Sequence, residues 1–146
     1  MPFLHGVLLY THIVSAIMSI GPFFILIPLL SKLRASELHV QQAYLDTFRA
    51  AVRLAKHAGH VLVVSGVLLV MEASWSWTTS WIVVTVLILL SSLFFLARAF
   101  SPSIRKLAEP ETDRDQAMRK LTRAVWIYLA LLMIMLWFMV AKPTLW

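Results

Sequence analysis

The chain has no cysteine, four glycines and, in 146 residues, only seven aspartates and glutamates together. The missing cysteine excludes a disulfide-stapled secreted module, and with it thiolate metal sites and iron–sulfur clusters. Charge is scarce as well, at 14% of residues against 60% hydrophobic. A soluble domain carries roughly a quarter charged residues and under half apolar ones. That contrast excludes a soluble globular domain and a disordered segment. No Gly-rich phosphate loop, no Ser-His-Asp set and no paired intramembrane carboxylates can be found, which disfavours nucleotide chemistry, acyl transfer and proton-coupled transport.

What is present is long apolar runs. A membrane-spanning helix needs about 20 mostly apolar residues, because the hydrocarbon core is ~30 Å thick and each residue rises ~1.5 Å. Four stretches qualify: Val7 to Leu30, Leu54 to Met71, Trp81 to Ala97 and Ala124 to Ala141. They hold no Asp or Glu, and of the basic residues only Lys56 falls inside one, close to its end. In lipid, backbone groups must be satisfied within the segment, so the reading is all-α: a bundle of four transmembrane helices in one integral membrane domain over residues 1–146. The first stretch lacks a basic leader and an evident small-x-small cleavage site, so it is expected to remain as a helix.

Basic residues set the orientation. Lys32, Arg34, Arg49, Arg53 and Lys56 lie between or beside helices one and two, and Arg98, Arg105, Lys106, Arg114, Arg119, Lys120 and Arg123 between three and four. The connection between helices two and three has none, and the tail has Lys142 alone. Both termini are therefore expected outside, with both long loops in the cytoplasm of a bacterial inner membrane. The formal charge of +6 then serves topology and anionic headgroups, not nucleic acid. Trp75, Trp77, Trp81 and Trp146 mark the outer boundary, and Trp126 and Tyr128 the inner end of helix four.

From Glu37 to Lys56, Leu38, Leu45 and Val52 recur every seven residues, with Tyr44, Phe48, Ala51 and Ala55 beside them. This spacing predicts an amphipathic helix that runs into helix two and extends it into the cytoplasm. Pro102 and Pro110 with mixed charges predict a solvated turn over Ser101–Asp115, after which helix four starts near Arg114. Gly21-Pro22 predicts a kink in helix one.

The few polar residues inside the apolar spans are the candidates for function. At 100° per residue, His5, His12 and Ser19 fall on one line of helix one, beside Ser15 and Ala16. His5 reads as an interface residue and Glu72 as a solvated rim carboxylate. Gln42, Asp46, Arg49, Arg53, Lys56, His57 and His60 form a stripe on helix two that ends above Val63, Val64 and Val67. Imidazole beneath basic residues suits haem b: His12 and His60 as iron ligands, His57 as the alternate, and Arg49, Arg53 and Lys56 as propionate partners. Gly59 and Gly66 would admit a second helix or a flat macrocycle. His12 and His60 differ in depth by about 8 Å on ideal helices. A tilted haem, shifted boundaries or a haem on one histidine are the alternatives this leaves. Met133, Met135 and Met139 read as packing.

Thr11-His12-Ile13-Val14-Ser15 with Gly21, Ser65-Gly66, Trp81 and the ending Met139-Val140-Ala141-Lys142-Pro143 resemble an uncharacterised bacterial family of four-helix integral membrane proteins. That family is similar to the copper-resistance D and membrane protoporphyrinogen oxidase group. The resemblance implies four helices and b-type haem, with His12 as the matching ligand position. Helix three has no histidine, which departs from the oxidase pattern. Electron transfer or haem handling is the leading expectation. The competing one is a non-catalytic membrane subunit that docks a partner through its basic cytoplasmic helices. Expected partners are the bilayer and a redox protein or larger membrane complex, and the small residues permit a homo-oligomer.

Overall fold

A computed structural model describes residues 2–100, 102, 104–105 and 114–146 of the chain. Among these residues there are helices and turns and no strand. The helices are α1 (Pro2–Ala35), α2 (Leu38–Glu72), α3 (Ser80–Phe95), continued by a π-helical turn Leu96–Phe100, and α4 (Arg114–Ala141). Each is long and apolar enough to cross a membrane. α2 is continuous, so the amphipathic segment and the second span form one helix as the spacing predicted. α4 starts at Arg114, also as expected. The turn expected over Ser101–Asp115 lies mostly outside the described residues.

Local chemistry explains the ends. Pro2 opens α1, where its missing N–H would have no helical partner anyway. α1 then runs as helix through Pro22 and Pro28. The Glu37 carbonyl accepts the amides of Val40 and Gln41, both at 3.1 Å, and starts α2 two residues after α1 ends. α2 closes with the Trp75 amide on the Val70 carbonyl (3.1 Å) and the Ser74 amide on that of Met71 (3.2 Å). This closure puts Ser74 in the left-handed region at φ 58°, a position that favours glycine.

α1 and α2 pair antiparallel along their whole length, α1 also packs on α4, and α4 packs on α3 and the π turn. The lateral order is α2, α1, α4, α3. The helices differ in reach. α1 and α2 have 34 and 35 residues, about 50 Å, whereas Ser80–Phe100 has 21 and just spans the hydrocarbon.

The core sits in the basic half, where Phe23, Phe48, Phe100, Leu121 and Val125 are fully enclosed. Phe23 lies 4.5 Å from Tyr128 and 5.8 Å from Phe100, and Phe48 lies 6.2 Å from Phe100. These rings join the two hairpins. Tyr128 thus departs from the expected interfacial role. It is 3% exposed because the π turn and α1 bring Phe100 and Phe23 over it. Trp126, by contrast, is exposed.

At the opposite end the tail after α4 clasps the start of α3 and the connection that precedes it. The Ser80 hydroxyl donates to the Pro143 carbonyl (3.2 Å) and accepts the Leu145 amide (3.0 Å). The Trp146 indole N–H donates to the Thr78 carbonyl (3.0 Å). Lys142 Nζ sits 4.7 Å from the Trp75 ring and 5.4 Å from that of Trp81. An ammonium over two indole faces is a cation–π contact with both.

Candidate functional site

The polar line of α1 faces α2. The first step of seven along α1 meets a step of seven back along α2, and the next meets a backbone carbonyl one turn further on. His5 Nδ1 lies 2.6 Å from Glu72 Oε2, one end of the ladder. His12 Nδ1 lies 3.0 Å from Ser65 Oγ at the next step. The Ser19 hydroxyl donates to the Ala55 carbonyl at 3.3 Å. Glu72 is accordingly a partner of His5 rather than a lone rim carboxylate.

The Ser65 hydroxyl lies 2.7 Å from the Val61 carbonyl of its own helix, where it can donate while its oxygen accepts from His12 Nδ1–H. The His12 ring also hydrogen-bonds the Leu62 backbone. Gly66 makes the contact possible. A Cβ on it would lie 3.1 Å from His12 Cε1, closer than ordinary packing allows. The space at Gly66 thus holds the His12 ring, brought by α1. At Gly59 a Cβ would meet Ser19 Oγ at 3.7 Å, an ordinary contact. Among the described residues every buried side-chain nitrogen and oxygen has a hydrogen-bond partner.

The stripe on α2 faces the other way. Arg53, Lys56, His57 and His60 are exposed and Arg49 is half-exposed, on the side opposite α1. Arg49 bonds Asp46 at 3.2 Å, one turn away. The His57 and His60 rings stand edge to face with centroids 6.3 Å apart. Below them the same face continues as exposed Val64, Val67 and Met71.

The structure therefore separates the sequence candidates into two groups. His12 is in the seam, level with Ser65. His60 is on the opposite face, five residues or about 7.5 Å along the axis from that level. His12 and His60 are not brought together. His57, His60, Arg53 and Lys56 are, with Arg49 one turn above. No group of three or more His, Asp or Glu positioned for a metal ion occurs among the described residues. Sequence reasoning found the line on α1 but not its partners Glu72 and Ser65. Only the antiparallel register, seven residues per step, could have named them.

A family described as predicted integral membrane protein (DUF2269) matches residues 6–143. The chain belongs to that family. Its description places the protein in a membrane and names no activity. The matched region runs from just past His5, the first rung of the polar seam, to Pro143 within the clasp. No curated protein and no solved structure matches the chain.

Proposed function

We propose that this family member is a non-catalytic membrane subunit, with both long loops in the cytoplasm, that offers the far face of α2 to a neighbouring membrane protein. The observation that carries this reading is the division of polar groups. Those between α1 and α2 are used up in holding the hairpin. Those on the far side of α2 face away from α1, and among the described residues α2 packs its backbone against no helix but α1. An imidazole facing hydrocarbon is costly, and a second protein surface removes that cost. Cations at the headgroup level add charge for recognition and for anionic lipid.

The test uses a photo-reactive amino acid at position 53, 60 or 10 of the full chain in native membranes. Positions 53 and 60 should yield one discrete protein adduct, lost on Arg49→Glu. Position 10, on exposed Tyr10 of α1 near the other end, should yield none. Adducts at 53 and 60 that contain only lipid would overturn the reading.

One observation favours a second reading, haem b on a single imidazole. His12 is fixed at Nδ1 by the Ser65 hydroxyl of the neighbouring helix, as a metal-binding histidine is commonly oriented by a partner on its other ring nitrogen. A shared iron between His12 and His60 does not fit, since they lie on opposite faces of α2. A haem on His60 would have Arg53 and Lys56 on its own side. An optical spectrum after haem-replete expression decides: a Soret band abolished by His12→Ala or by His60→Ala supports haem, and its absence removes haem from consideration.

A further inference from the structure

A cleft of about 340 Å³ opens between the π-helical turn and the first half of α4. That volume lies within the ~300–1,000 Å³ range of ligand-binding clefts. We propose that it binds the phosphate-bearing head of one anionic glycerophospholipid. The inference is independent of the function proposed for the α2 face.

Helix geometry makes the cleft. The π turn carries an extra residue and so rotates the side chains beyond it about the helix axis, and such turns recur at functional sites. Here it brings Arg98 and Ala99 to the side of α4. Ala117 and Ala124, seven residues apart on α4, face them with small side chains, so the two helices leave space where larger residues would fill it.

The charge of the cleft is unbalanced. Arg98, Lys120 and Arg123 converge on it, and no lining residue among those described is acidic. None of the three forms an ion pair with a described residue. Arg98 instead rests its guanidinium 5.1 Å from the Phe94 ring centroid. Three cations gathered at one concavity repel one another, and a bound anion reverses that cost. Arg and Lys are the side chains that suit phosphate oxygens, by fork and by point charge respectively.

The order of chemistry along the membrane normal names the source of the phosphate. The cations lie toward the ends of α3 and α4 that leave the bilayer. One turn deeper the wall becomes Phe95 on α3 and Ile127 on α4. A glycerophospholipid presents charge and then hydrocarbon in that order and over that distance. A soluble phosphate would have no use for the apolar wall.

Native mass spectrometry of the full chain released from detergent provides the test. The probes are phosphatidylglycerol, phosphatidylcholine and inorganic phosphate. One retained phosphatidylglycerol per chain is expected, with phosphatidylcholine weaker and inorganic phosphate unable to displace it. Combining Arg98→Gln, Lys120→Gln and Arg123→Gln should weaken retention on the order of a hundredfold. Combining Lys32→Gln, Arg34→Gln and Arg119→Gln removes the same charge away from the cleft and should change it less than about twofold. Ala99→Leu, which fills the cleft and keeps every charge, should also abolish retention. Equal losses in both triple variants would reduce the effect to general electrostatics and overturn the site. Full retention in Ala99→Leu, or displacement by inorganic phosphate, would overturn it as well.

Discussion

The two hairpins solve the same problem by different chemistry. Between membrane helices the lipid is as apolar as the side chains, so association rests on close packing and on hydrogen bonds. α1 and α2 use both. Gly59 and Gly66 bring the backbones close, and His5, His12 and Ser19 supply polar links at seven-residue steps. α3 and α4 have no such regular seam among the described residues, although Tyr128 and Ser92 share a side-chain hydrogen bond beside the ring cluster. They meet through aromatic rings in the basic half and through the tail clasp at the other end, and between the π turn and α4 they leave a cleft. The first hairpin is a continuous seam and the second is pinned at its ends. The seam is tight where Gly66 faces the His12 ring, whereas a pinned pair has room between its pins.

Four tests would break or sharpen this contrast. The largest effect is expected from Phe23→Ala, which empties a fully enclosed position against Phe100 and Tyr128. A loss of about 3 kcal/mol is expected in SDS-driven unfolding from micelles. It should separate the hairpins while leaving each one helical, so circular dichroism should fall less than tryptophan fluorescence shifts. Next is Gly66→Ala, whose new methyl meets the anchored His12 ring at 3.1 Å. It should cost about 1–2 kcal/mol. Its control, Gly59→Ala, meets only an ordinary contact and should be neutral or stabilising by about 0.5 kcal/mol. Equal effects at the two glycines would mean that the seam is no tighter at His12 than at Ser19.

The third is the double cycle of His12→Ala and Ser65→Ala. Its coupling energy should fall at about 0.6–1.7 kcal/mol, the scale of hydrogen bonds between membrane helices. A coupling near zero would show that His12 holds its place by packing alone. The smallest effect is a gain. Ser74→Gly relieves the left-handed backbone at the end of α2 and should stabilise by about 0.5–1 kcal/mol. A parallel rise in the unfolding midpoint of a variant lacking the tail clasp would place that gain in the first hairpin.

Legibility in the sequence varies with how local the signal is. The four spans and the continuity of α2 are readable, because they depend on periodicity within single segments. So is the line of His5, His12 and Ser19, because seven residues bring a helix nearly back to the same direction. What that line touches depends on register between segments, so Ser65 and Glu72 do not show themselves as partners. A tyrosine near a span end suits a headgroup, and Tyr128 reads as a boundary residue for that reason. Its burial depends on Phe23 from α1 and Phe100 from the π turn, and no residue pattern marks a π turn. Arg98, Lys120 and Arg123 read only as topology charges, since they converge from both sides of a long loop. The seven-residue step is a sound guide along α1, whereas a haem shared by His12 and His60 would require two opposite faces of α2 to be one.

The clasp at residues 142–146 has a consequence for the order of biogenesis. Those residues come after all four helices in the chain, so they reach Ser80, Thr78, Trp75 and Trp81 only after α4 has crossed the bilayer. The first hairpin closes on its own seam long before that moment. The second stays open at its far end until residues 142–146 have emerged. The latch thus couples the arrival of this segment to the locking of the second hairpin, and a chain stalled short of Lys142 would present bare indole faces and an unpaired serine at the membrane surface.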